Sequence, residues 1–201
     1  MKLLSARELE NWKAAYTNLM RKVVLRLRKE SGAEVARQHT ANPVLLEMFP
    51  DAKFAYIQRN PFDVFNSTLH MRKTMFRENC MGKPHLREQS DNILWLQEFL
   101  FQTYEEDKKL IPPGRLYEMK FEELEADPLG GIEQTYQALN LPNWDRLKTI
   151  LEPQVPGLKE YKKNTFQYKP ELMNEVYDRL KVIFDHYGYP HPSEQYEPAA
   201  A

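Results

Sequence analysis

Apolar positions along this chain repeat with two different periods. Trp12, Tyr16, Leu19, Val23 and Leu27 fall three or four residues apart, which predicts a first helix with a buried stripe. Ser5 followed three residues later by Glu8 forms a capping box at its start, with Leu4 available as a staple. "ESGAE" breaks the pattern. Residues 33–38, "AEVARQ", read as a short strand with few apolar positions, and "PVLLEMFPDA" reads as a short helix closed by Pro50. "KFAYIQR" is apolar enough for a buried strand. "NPFDVFNSTLHMRKTMF" then opens with helix-start signals in order: Asn60 as cap, Pro61 in the first turn and Asp63 against the helix dipole.

A polar loop is expected over roughly 77 to 90, followed by an amphipathic helix in "SDNILWLQEFLFQTYEED". "PPGRLYEMKFEEL" gives a Pro-Gly turn and a strand with Tyr117, Met119 and Phe121 on one face. "DPLGGIEQTYQALNLP" is helical, with Ile132, Tyr136 and Leu139 inward. A loop through "EPQVPGLKEYKKNTFQY" leads to a last helix whose stripe is Leu172, Val176, Leu180, Ile183, Phe184 and Tyr187, stopped by Gly188 and Pro190. Strands alternating with helices predict an α/β domain with a small, mainly parallel sheet. The expected division is one domain over 1–190 and a disordered tail over 191–201, with no internal repeat.

Composition narrows the function classes. At 201 residues the chain is long enough to bury one ordinary core. A net charge of −1 with 28% charged residues argues against a general nucleic-acid binder. Hydrophobic residues at 42% and aromatics at 12% exclude a disordered chain. The single cysteine, Cys80, permits neither an internal disulfide nor a cysteine zinc cluster. No stretch approaches 18 apolar residues and the N-terminus lacks a signal-peptide core, so a cytoplasmic location without a transmembrane segment is expected.

The candidate chemistry begins at "FAYIQRNPFDVFNSTLH". In an open α/β sheet, ligands bind beyond the carboxyl ends of the strands. Arg59 lies at such an end, immediately before a helix N-terminus that favours anions. Ser67, eight residues on, sits two turns into that helix and reaches the same anion only if the ligand lies along the helix face. A guanidinium forks two donors onto a phosphate and a hydroxyl adds a third. Taken alone, the pair is a weak signal that fits an ordinary surface arginine beside a helix better than an anion site.

The surrounding blocks go further. "HTANPVLLEMFPDAKFAYIQRNPFDVFNSTLHMRKTM", "LIPPGRLYEMKFEELEADPLGGIEQTYQALNLP", "YKKNTF" and "DHYGYP" together resemble the sulfotransferases that use 3′-phosphoadenylyl sulfate (PAPS), over roughly Ser5 to Pro190. The resemblance implies a P-loop-like three-layer α/β/α fold and sulfuryl transfer from PAPS, without a metal, to an acceptor hydroxyl or amine. The acceptor class implied is a small molecule, carbohydrate or lipid, with no nucleic-acid partner. Arg59 and Ser67 match the family's clamp on the 3′-phosphate, with each charged hydrogen bond worth about 1.5–3 kcal/mol. Lys162 and Lys163 in "YKKNTF" sit where the family has a basic loop over the same phosphate, and also suit a solvated loop. Phe121 matches an aromatic near the adenine, and its alternation with Tyr117 and Met119 suits a core position equally. Glu122 and Glu123 read as a solvent-facing helix start.

His39 in "HTA" matches the family's catalytic base, and a neutral imidazole can take the acceptor's proton as the bond forms. Arg37, two residues earlier, can offer charge to the leaving oxygens. The family branch shows Lys-[Ser/Asn]-Pro-Pro-His-Thr-Ala-Arg here, whereas "EVARQHTANP" lacks the lysine–proline pattern and the closing arginine. The family's N-terminal loop for the 5′-phosphosulfate, typically Pro-Arg-Ser-Gly-Thr-Thr, is also not found, nor is G-x-x-x-x-G-K-[ST]. The chain is therefore expected to be partial, equivalent to the C-terminal two-thirds of the family fold. Two functions stay open: a sulfotransferase, inactive or poor as the isolated chain, or a non-catalytic nucleotide-binding or protein-interaction module.

Overall fold

The computed structural model describes residues 5–27, 42–79, 86–159 and 168–196. The elements run α1 (Ala6–Leu27), α2 (Asn42–Met48), β1 (Phe54–Gln58), α3 (Pro61–Asn79), α4 (Leu86–Asp107), β2 (Leu116–Lys120) and α5 (Phe121–Ala126). They continue with α6 (Pro128–Ala138), α7 (Trp144–Leu151), α8 (Val155–Lys159), α9 (Pro170–Tyr187) and α10 (Pro192–Gln195). Among the described residues this is a helix-rich α/β arrangement with a two-stranded parallel sheet. The candidate strand at 33–38 lies outside the described residues. The chain divides into two compact units, 1–52 with 103–111 and 53–102 with 112–201.

In the first unit the capping box forms as the sequence predicts. The Ser5 N–H donates to Glu8 Oε2 at 2.8 Å, and the Glu8 N–H donates to Ser5 Oγ at 3.4 Å. Trp12 stacks on Tyr16 with ring centres 5.1 Å apart, and Tyr16 meets Phe49 at 6.3 Å. Lys13 Nζ bridges Glu10 at 3.1 Å and Glu47 at 2.7 Å, linking α1 to α2. The predicted stripe is interrupted at Leu19, which is 56% exposed. Its spacing is right, but the packing on α1 gathers around Trp12 and Tyr16 instead.

In the second unit β1 and β2 pair in register from Phe54 opposite Leu116 to Gln58 opposite Lys120. Parallel strands need a long crossover, and α3 and α4 supply it. β1 is not the buried strand that its apolar run predicts: Ala55 is exposed and Ile57 is 47% exposed. The register puts these two on the same face as Tyr117 and Met119. Helices α5 and α6 cover that face over β2, where Met119 is buried and the Tyr117 hydroxyl donates to Gln134 at 3.2 Å. The β1 side of the face stays open among the described residues.

The main core joins α3, α4 and α9. Phe62 and Phe65 from α3, Ile93 and Leu94 from α4, and Met173, Val176, Leu180 and Phe184 from α9 are all 1% exposed or less. The stripe predicted on α9 is present, with Met173 taking the fully buried place expected of Leu172. α9 ends on Gly188 at φ +67°, a left-handed cap that glycine adopts without a Cβ penalty, with its N–H donating to the Phe184 carbonyl.

Three connections differ from expectation. The polar loop at 77–90 is shorter, because α3 runs to Asn79 and α4 starts at Leu86, where Arg87, Glu88 and Gln89 are good helix formers. Residues 152–159, expected as loop, form a 3₁₀ turn and α8, and α7 precedes them. Residues 191–196, expected as part of a disordered tail, are structured: His191 caps α10 by accepting from the Ser193 N–H, and Pro192 is buried. Tail composition hid the aromatic anchor Tyr196, whose ring meets Phe62 at 5.4 Å and Tyr168 at 5.3 Å.

Candidate functional site

The site is built where the sheet hands over to helices. Gln58 and Lys120 are paired, so the next residues, Arg59 and Phe121, leave the two strands side by side. The Arg59 guanidinium lies over the Phe121 ring, with Cζ 4.3 Å from the ring centre. Phe121 opens α5 and is half-buried, so it serves as a platform for Arg59. Tyr117 and Met119 keep the inward face predicted for them.

Asn60 begins α3 as the sequence predicts. Its side-chain oxygen accepts the Phe62 N–H at 2.9 Å, and Pro61 follows in the first turn. Asn60 is buried, and its other polar groups are all engaged. The backbone N–H donates to Glu122 Oε1 at 3.1 Å, and Nδ2 donates to Gln195 Oε1 at 2.6 Å. Asp63, one turn into α3, has its Oδ2 3.8 Å from Arg59 Nη2 while its Oδ1 accepts the Tyr196 hydroxyl at 2.7 Å. Arg59 Nε is buried and meets no hydrogen-bond partner among the described residues. Ser67 is exposed, one turn beyond Asp63 on the same face of α3.

Glu122 departs from expectation. It sits in the first turn of α5, but it is not solvent-facing: its two oxygens accept from the Asn60 N–H and from the Tyr189 hydroxyl at 2.8 Å. Only Glu123 of the pair is exposed. Burial, then the Glu122 hydrogen bond, push the Tyr189 phenol above its usual range. Burial, then the Asp63 hydrogen bond, do the same for Tyr196, so both stay donors at ordinary pH. The Tyr168 phenol is pushed up to about 12, chiefly by burial. Replacing Glu122 by glutamine leaves one of its two donors without an acceptor. A loss of about 1–2 kcal/mol in urea unfolding is expected, and parental stability would show that this carboxylate does not tie α5 to the Asn60 turn.

The structure thus brings Arg59 and Phe121 together at the carboxyl end of the sheet, leaves Ser67 exposed two turns into α3, and adds Asp63, Glu122, Tyr189, Gln195 and Tyr196 around the turn. The last three lie more than sixty residues from their partners, and no local pattern marks them. His39, Arg37, Lys162 and Lys163 lie outside the described residues, as does Cys80. Among the described residues, no group of three or more His, Cys, Asp or Glu side chains could hold a metal ion, and no helix is long and apolar enough to cross a membrane.

Residues 3–146 match the model of the sulfotransferase family. The chain belongs to the sulfotransferase family. Two relatives are the omega-hydroxy-beta-dihydromenaquinone-9 sulfotransferases Stf3 of Mycobacterium bovis and Mycobacterium tuberculosis. Each is 31% identical over 186 residues, which cover 92% of this chain and 48% of the relative. The chain therefore spans about half the length of the curated relatives it matches. No solved structure matches it significantly. In this sulfotransferase-family chain the β1–α3 turn and the β2–α5 turn converge, and Arg59 between them has a carboxylate neighbour and, among the described residues, one donor without a partner.

Proposed function

We propose that the chain takes part in sulfuryl transfer from PAPS to an acceptor hydroxyl or amine, and that Arg59 and Ser67 grip the donor's 3′-phosphate. The observation that carries this is the state of Arg59. Its guanidinium lies over Phe121 at the carboxyl end of the sheet, beside the N-terminus of α3, with Nε buried and unpartnered among the described residues. A doubly charged phosphate would meet the exposed part of this guanidinium, whose side chain is 32% exposed, and draw further stabilisation from the helix dipole. Phe121, held under the guanidinium, would border the adenosine.

In the reaction the bond from sulfur to the 5′-phosphate oxygen breaks as the acceptor oxygen or nitrogen bonds to sulfur, leaving adenosine 3′,5′-bisphosphate. His39 would take the acceptor's proton, Arg37 would face the leaving oxygens, and Lys162 and Lys163 would close over the 3′-phosphate. Positioning and charge stabilisation do most of the work in such in-line transfers. The acceptor for which the relatives are named, a hydroxylated menaquinone, favours a lipid-like hydroxyl here. The departure from the family pattern at "EVARQHTANP" favours a second possibility, nucleotide binding without turnover.

Calorimetric titration of the full chain with adenosine 3′,5′-bisphosphate, with AMP as control, tests the proposal. Binding that requires the 3′-phosphate is expected, and equal binding of AMP, or none of either, would overturn the clamp. A sulfate-transfer assay with side-chain-hydroxylated menaquinones then separates turnover from binding alone.

A further inference from the structure

We propose that the C-terminal segment 191–196 sets the strength of the anion site, with Tyr196 as a positioning residue that holds Asp63 away from Arg59. This rests on the function proposed above. Asp63 is the natural competitor for the guanidinium, one helical turn away. A relaxed pair of this kind closes to about 2.7–2.9 Å, yet Nη2 and Oδ2 stand 3.8 Å apart. The other carboxylate oxygen accepts the Tyr196 hydroxyl at 2.7 Å, which pins the group in place. The phenol cannot follow Asp63 inward, because its ring is wedged against Phe62 and Tyr168.

The neighbouring residue works on the same turn. Gln195 accepts from Asn60 Nδ2 at 2.6 Å, and Asn60 is both the residue after Arg59 and the cap of α3. One short segment therefore grips the side chains at positions 60 and 63, on the turn that carries Arg59. α10 is in turn seated by buried Pro192 and by His191, whose ring meets Tyr177 of α9 at 4.4 Å. Without the Tyr196 hydroxyl, Asp63 is free to close on Arg59 and take donors that a phosphate would otherwise receive. The segment acts by keeping an internal anion from occupying the site.

The test is titration of the full chain with adenosine 3′,5′-bisphosphate. Tyr196→Phe keeps the ring and removes only the hydroxyl, and binding about five- to tenfold weaker is expected, less than the loss of a whole charged hydrogen bond, because Asp63 then competes for the guanidinium's donors without removing them. Asp63→Asn removes the competing charge, so the same tyrosine substitution made in that background should change affinity little. A merely structural role for the hydroxyl would give the same loss in both backgrounds, and that result would overturn the proposal. So would Tyr196→Phe binding as tightly as the parent. A parent chain that binds no bisphosphate overturns the phosphate clamp itself, and the positioning role with it. Parental binding with an unaffected Tyr196→Phe variant overturns the positioning role alone.

Discussion

Arg59→Ala is expected to weaken adenosine 3′,5′-bisphosphate by about a hundredfold while leaving AMP binding unchanged. A guanidinium can fork two charge-assisted bonds onto one phosphate, each worth about 1.5–3 kcal/mol. The full sum overstates the effect, because the side chain is 32% exposed and already has Asp63 nearby. About 2.7 kcal/mol remains a reasonable net, which is two orders of magnitude. Arg59→Lys keeps the charge but loses the fork and the guanidinium's contact over the Phe121 ring, so it should recover only part of the affinity. Unfolding measured in parallel separates lost ligand contacts from a loosened turn. An Arg59→Ala variant that is folded and binds the bisphosphate like the parent would remove Arg59 from the site.

The arginine was legible because its signals are local. Cap, proline and acid occur within four residues of it, and each does what its position predicts. The long buried stripe on α9 was legible for the same reason, since Val176, Leu180, Ile183 and Phe184 repeat at helical spacing. What surrounds Arg59 was not. Glu122 looks like any acid at a helix start, and only the parallel register of β1 and β2 brings it under the Asn60 N–H. Tyr196 stands in a polar, proline-containing stretch that resembles a frayed end, and its partner Asp63 is 133 residues away. Exposure of Ile57 was equally hidden, because an apolar run indicates that a strand is there and not how far its neighbours cover it. Short-range chemistry placed the Arg59 turn, and long-range pairing supplied the residues packed around it.

Those long-range pairings depend on α9, which makes Phe184→Ala the most damaging single change expected for stability. The ring is fully buried, lies 5.1 Å from Tyr177, and belongs to the cluster that joins α9 to α3 and α4. Removing it loses the transfer energy of a phenyl group and leaves a cavity in helices that collapse only partly, together about 3–5 kcal/mol. Phe184→Leu fills much of that space and should cost substantially less. The check is urea unfolding followed by far-UV circular dichroism, with a lowered midpoint at unchanged slope as the expected result. A loss below about 1 kcal/mol for the alanine variant would mean that α9 is not packed as described. Functional consequences follow from the chain's path. Phe184 accepts the capping N–H groups of Gly188 and Tyr189, and from there the chain runs to Tyr189, which reaches Glu122, and to Gln195 and Tyr196, which reach Asn60 and Asp63. Loosening the end of α9 therefore withdraws several supports of the Arg59 turn together, so the alanine variant should also bind the bisphosphate more weakly at denaturant concentrations where it is still folded.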